Sequence, residues 1–87
     1  MKQVNQIGVD VDSEKLVCAM QRAEERLPLA TFANTAAGHK KFIRWVTKGA
    51  RSARVCLEAT GIYSLEFALA LHHAKNVEVM VVNPRAI

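Results

Sequence analysis

The sequence predicts an α/β domain on a mixed five-stranded sheet, in the order βββαβαβ. Three observations carry this. Residues 4–11, 16–20 and 27–32 are strand-like runs joined by short polar links, the pattern of an antiparallel meander. Residues 34–48 then place their apolar side chains at helical spacing. Residues 54–58, 62–75 and 77–82 read as strand, helix and strand within about thirty residues, a βαβ unit with parallel strands.

The first strand organises the rest. Ile7, Val9 and Val11 are β-branched and share one face, while Gly8 and Asp10 share the other. Gly8 leaves its face open. The strand reads as buried, so the Asp10 carboxylate needs a partner there, a metal ion or another cation. Residues 12–15 (Asp-Ser-Glu-Lys) form a polar turn, and Asp12 reads as a solvated turn residue rather than a further metal ligand. The run at 16–20 is the second strand. Pro28 confines the third, 27–32, to a sheet edge or a strand start.

Asn34 or Thr35 caps the first helix. Phe42, Trp45 and Val46 make its apolar face, Ile43 borders it, and Gly38 one turn earlier allows a close approach. Lys40, Arg44, Lys48 and Arg51 form a separate basic stripe, and Gly49 closes the helix. Thr60-Gly61 turns the chain after the fourth strand. The second helix (Ile62, Leu65, Phe67, Ala68, Leu69, Ala70, Leu71) has little polar face and needs cover on nearly all sides. That predicts a homodimer or aggregation. Asn76 ends this helix, and Asn83-Pro84 ends the last strand. If the fourth strand pairs with the first, Glu58 comes beside Asp10, about 4.8 Å away across the ladder.

At 87 residues the chain holds one domain at most, and 51% hydrophobic residues argue for a packed core. The net charge of +4 is uneven: residues 34–54 carry six bases and no acid, leaving −2 elsewhere. A local basic segment of this kind suits nucleic-acid phosphates, against the simpler reading of a solvated helix face. Cys18 and Cys56 sit in apolar runs without zinc-ligand spacing and read as reduced, buried thiols. No apolar run approaches the ~20 residues of a membrane span. His72 and His73 have no ligand partner at helical spacing and read as structural.

The segments Ile-Gly-Val-Asp-Val (7–11), Leu-Glu-Ala-Thr-Gly-Ile-Tyr (57–63) and Val-Val-Asn-Pro-Arg (81–85), with Phe32, Asn34 and Gly38 spaced Phe-x-Asn-x-x-x-Gly, resemble one family. It is the bridge-RNA-type insertion-sequence transposases with an N-terminal RuvC-like DEDD domain, relatives of the Piv and MooV invertases. The resemblance implies a ribonuclease-H-like fold and a single, incomplete RuvC-like catalytic domain over 1–87. Asp10 and Glu58 are then the first two acids of a tetrad. Two later aspartates and a C-terminal domain with a serine implicated in strand transfer fall beyond Ile87, so the chain is expected to be a C-terminally truncated fragment, inactive alone. The implied chemistry is magnesium-dependent phosphodiester cleavage and strand transfer in DNA transposition. The implied partners are DNA, a guide RNA and a second copy, in the bacterial cytoplasm at the nucleoid. The family has Ser-Lys after Asp-Val, whereas Asp12-Ser13 stands here.

Simpler readings stand beside these roles. Asp10 is then a strand-end acid bonded to a turn amide, and Glu58 a carboxylate at the positive end of the following helix. Arg85, at a strand end where ligands approach open sheets, is a candidate phosphate contact, and Tyr63 a packing residue. A non-catalytic nucleic-acid-binding module using residues 34–54 is the alternative function. An actin-like phosphotransferase would want a glycine-rich turn after the acid, and residues 12–15 contain no glycine.

Overall fold

Alternation of apolar and polar residues becomes strand wherever the sequence shows it. In the computed structural model, which describes residues 4–22, 25–58 and 61–82, β1 (Val4–Val11) buries Asn5, Ile7, Val9 and Val11 and exposes the residues between them. β2 (Lys15–Arg22) runs antiparallel to β1 and buries Leu16, Cys18 and Met20. The expected third strand is split. β3 (Glu25–Arg26) and β4 (Ala30–Ala33) both pair antiparallel with β2; the Leu27 amide still donates to the Met20 carbonyl at 3.0 Å, and Pro28 and Leu29 leave the ladder. Proline has no amide to donate, so the break falls at the residue that cannot hold the pairing.

Helix α1 (Ala36–Val46) begins at Thr35, whose hydroxyl accepts the Gly38 amide at 3.1 Å. This is the usual N-cap bond to the third helical amide. The helix stops at Val46, two residues short of the predicted end at Lys48. The Thr47 amide and hydroxyl both turn back to the Ile43 carbonyl, and Gly49 follows in the left-handed region (φ 76°). Lys48 and Arg51 are therefore off the helix, and only Lys40 and Arg44 keep the predicted helical spacing.

β5 (Ser52–Glu58) pairs parallel with β1, and β6 (Val77–Val82) parallel with β5. Between them lie a 3-10 turn (Gly61–Ser64) and helix α2 (Leu65–His73), shorter than the expected 62–75. Asn76 takes a left-handed conformation (φ 66°), which asparagine tolerates, and its carbonyl accepts the Ala53 amide at 2.9 Å. The sheet order is β3-β2-β1-β5-β6, with β4 continuing the β3 edge. Among the described residues six strand segments thus stand where five were predicted.

The core lies on one face of the sheet. Ile7, Val9, Leu16, Val55 and Leu57 meet Phe42 and Val46 of α1 and Phe67 and Leu71 of α2. Phe42 and Phe67 stack edge to face with centroids 5.0 Å apart, and Trp45, half-buried, packs against Phe32 at 5.3 Å. Gly38 sits against Ala33, where an added Cβ would lie 2.7 Å from the carbonyl carbon and closer still to its oxygen. The close approach read from the sequence is there, and its partner is strand backbone. Asn5 is fully buried among the apolar residues; its amide donates to the Val46 carbonyl at 2.9 Å and its oxygen accepts from Arg22 at 3.3 Å.

Two expectations are corrected. β1 is buried on one face only, so Asp10 stands exposed and burial does not oblige it to find a partner. Cys18 is buried, but Cys56 is exposed, because it shares strand parity with Arg54 and Glu58.

Candidate functional site

The second sheet face carries the site. The parallel register of β1 and β5 runs from Val4 opposite Ser52 to Val9 opposite Leu57. One step further on, Asp10 stands beside Glu58 at the ends of adjacent strands, about 4.8 Å apart between backbones. Asp10 also pairs with Val17, and Glu58 with Val82. One rung therefore reads Val17, Asp10, Glu58, Val82, two carboxylates between two half-buried valines. All four line a depression of about 540 Å³ whose floor includes Gly8, Ala19 and Cys56. Those three small residues form a rung of their own, Ala19 opposite Gly8 opposite Cys56. A Cβ on Gly8 would meet nothing within 4 Å, so the openness read from the sequence is real. A second depression of about 620 Å³ continues over the same rung toward Gln6, Arg26 and Arg54. The two arginines share the carboxylates' face; Arg54 entered the sequence reading only as one base of the 34–54 segment, and Arg26 was not singled out. Arg54 makes a long ion pair with Glu78 at 3.7 Å.

The donor set of the pair fits a hard divalent cation, since it offers carboxylate oxygens alone. Among the described residues neither carboxylate has a hydrogen-bond or ion-pair partner, and no group of three or more His, Cys, Asp or Glu side chains gathers to hold a metal. Two ligands are what the described residues supply. Asp12 does not join them. Its Oδ1 accepts the Glu14 and Lys15 amides at 2.8 and 2.9 Å, and these bonds hold its pKa below the usual carboxylate value. The turn role expected for Asp12 is the observed one. Among the described residues Glu58 makes no bond to residues 61–64; the acid in the first turn of α2 is Glu66.

The basic stripe is not brought to the carboxylates. α1 covers the core face of the sheet, so Lys40 and Arg44 are exposed on the opposite side from Asp10 and Glu58. Lys48 is exposed in the turn, and Arg51 is half-buried, with Nη1 buried and unbonded among the described residues. Arg85, Asn83 and Pro84 lie outside the described residues. Tyr63 is exposed rather than packed, and His72 and His73 are exposed with their rings edge to face at 5.3 Å.

A connection that the sequence reading missed lies behind the pair. The Asn34 side-chain amide donates to the Asp12 carbonyl at 2.8 Å and to the Tyr63 carbonyl at 3.0 Å, while its Oδ1 meets His39 Nε2 at 2.7 Å. His39 is buried beside Phe67, centroids 5.1 Å apart. Burial lowers its pKa, and the Glu66 carboxylate partly opposes that shift. The sequence signal was the Phe-x-Asn-x-x-x-Gly spacing itself: Phe32 and Gly38 seat α1 on the sheet edge, and Asn34 lies between them.

A mixed sheet packed on one face by two helices, with two carboxylates at neighbouring strand ends, defines an α/β domain compatible with a ribonuclease-H-like fold. A family model described as transposase, that of the IS110-type DEDD transposases, matches residues 7–87. The chain belongs to that family. A comparison with curated proteins finds no match. Two solved structures from Aquifex aeolicus are similar in outline. One, a member of the Ppx/GppA protein family, is 9% identical with a TM-score of 0.47, over 97% of this chain and 36% of the other. The second, a PPX-GPPA enzyme, is 11% identical with a TM-score of 0.43, over 97% and 37%. The chain thus spans little more than a third of the length of those proteins. Among the described residues no helix is long and apolar enough to cross a membrane.

Proposed function

We propose that this chain is part of a RuvC-like, DEDD-type catalytic domain of a DNA transposase or recombinase, in which Asp10 and Glu58 are catalytic carboxylates that hold a divalent ion, magnesium. One observation carries the reading: parallel pairing of β1 with β5 sets both acids on one rung of an open sheet face. A magnesium ion bound there supplies activation of the attacking oxygen and stabilisation of the leaving oxygen in phosphodiester cleavage and strand transfer. The chain's own part is to hold two oxygen ligands side by side and to shield them laterally with Val17 and Val82.

Lys40, Arg44, Lys48, Arg51 and Arg85 are the proposed phosphate contacts. The sheet separates Lys40 and Arg44 from the acids, so these two grip a different stretch of nucleic acid from the one cut, or the guide RNA. A second copy is proposed as a further partner, because Ile62, Leu65 and Leu69 are exposed at 78%, 59% and 50% along one side of the turn and α2. Light scattering that stays monomeric over a wide concentration range counts against that partner.

The test of the metal site is a manganese titration of the ¹⁵N-labelled chain. Paramagnetic broadening is expected to centre on the Asp10 and Glu58 amides. D10N and E58Q should each weaken it by more than about tenfold, the loss typical even of outer-shell groups. Broadening centred elsewhere, or unmoved by both substitutions, refutes the reading. The separation of Lys40 and Arg44 from the two acids favours one second reading, a nucleic-acid-binding module without catalysis. Its binding would follow ionic strength and show no specific need for magnesium.

A further inference from the structure

We propose that Asn34 is a positioning residue whose side-chain amide ties the chain beyond Asp10 to the turn beyond Glu58 and so sets the spacing of the two carboxylates. The proposal rests on the reading of Asp10 and Glu58 as a metal pair. Its geometry is independent of that reading. Asp12, two residues past Asp10, and Tyr63, five past Glu58, belong to separate segments that follow β1 and β5. The two Asn34 side-chain bonds, at 2.8 and 3.0 Å, span them. The backbone amide of Asn34 also donates to the Glu14 carbonyl at 2.9 Å, which anchors the residue to the β1–β2 turn.

The orientation of the amide follows from its partners. Both carbonyls only accept, so the nitrogen must face them and Oδ1 must face His39. His39 therefore carries its proton on Nε2 and donates it to Asn34 at 2.7 Å. The ring is itself held in the core against Phe67. The order of support runs from the core through His39 to Asn34, and from Asn34 to both segments at the acid end of the sheet. The β1–β5 ladder is registered up to Val9 and Leu57, and beyond it Asp10 and Glu58 are each held on the outer side, by Val17 of β2 and Val82 of β6. Past that step, among the described residues, Asn34 is the side chain that joins the two exits. A displacement of a few tenths of an ångström at either exit changes how two carboxylates share one cation.

The experiment compares the wild-type chain with N34D, H39Q and H39F. Asp at position 34 keeps the shape and the acceptor toward His39 but removes both donors. Gln at position 39 keeps a donor toward Asn34, and Phe removes it while filling the core. The metal-free readout is amide exchange. N34D is expected to speed exchange of residues 12–15 and 61–64 together while the sheet amides stay at their wild-type rates. The loaded readout is manganese broadening at Asp10 and Glu58, expected to weaken by about tenfold in N34D and H39F and to hold in H39Q. A ¹⁵N spectrum of wild-type His39 should show the Nε2–H tautomer. Exchange that rises in one segment alone, or in neither, overturns the tie. Manganese binding in N34D at wild-type strength overturns the positioning role. A wild-type chain with no manganese effect at Asp10 and Glu58, but with coupled exchange in N34D, overturns the metal pair and the positioning role together while the tie itself persists.

Discussion

Replacing Gly38 by alanine separates two opposed effects. Helix propensity alone favours the change by up to about 1 kcal/mol. Packing opposes it. The new Cβ would stand 2.7 Å from the Ala33 carbonyl carbon, 3.1 Å from its Cα and nearer still to the oxygen, against an ordinary contact of 3.4 Å or more. Ala33 cannot yield cheaply, because it is backbone in β4 and paired with Lys15 of β2. The helix start must retreat instead. That retreat loosens the Thr35 cap on Gly38 and the Phe32–Phe42 contact, whose centroids are 5.6 Å apart. Overpacking costs about 1–3 kcal/mol and a lost cap about 1 kcal/mol. The net expectation is a loss of about 2 kcal/mol, or roughly 8–16 °C in Tm for a domain of this size. Thermal and urea unfolding followed by circular dichroism measure it. G8A is the matched control, since a Cβ there meets nothing within 4 Å, and the smaller backbone entropy loss on folding should raise stability by about 0.5–1 kcal/mol. A G38A chain as stable as the wild type, or more so, would refute the steric argument and leave propensity in charge.

Three further expectations follow from buried or exposed groups. A thiol reagent should label one cysteine in the native chain, Cys56, and both in urea, because Cys18 is buried and its thiol is pushed up to about 12 by desolvation; equal native rates at both sites would contradict the burial. His39 has a folded pKa below its ordinary value of 6.5 because burial disfavours the imidazolium. The unfolded chain then binds more protons as pH falls below about 6.5, so stability should drop in that window and level off below the folded pKa; the H39Q unfolding midpoint, followed over the same pH range, should lose that part of the slope. N5A strands the Val46 carbonyl and removes the acceptor of Arg22, and should cost about 1–3 kcal/mol in urea unfolding; a change within error would mean that water replaces the amide.

Much of the acid pair was legible from the sequence, since it needs only strand parity and the pairing of β1 with β5. Parity places Gly8 and Asp10 on one face, and Arg54, Cys56 and Glu58 on one face. The same rule held the signal for the exposed Cys56, but the apolar character of its run outweighed parity in the reading. The helix end at Val46 was hidden, because Thr47 competes for the Ile43 carbonyl with both its amide and its hydroxyl, and nothing in the spacing of Lys48 and Arg51 reveals that.

Local rules thus determined the strands, the edge position of the Pro28 segment, the Thr35 cap, the close approach at Gly38 and the face on which Asp10 and Glu58 each stand. Each depends on a residue's own backbone preference or on alternation over a few neighbours. Tertiary structure decided which face of the sheet the helices cover, and with it that the carboxylates stand in the open and the basic face of α1 lies behind them. It also decided what Asn34 does. The Asp12 and Tyr63 carbonyls are 22 and 29 residues away in the chain, and only the packing of α1 against the end of the sheet brings both within reach of one side chain.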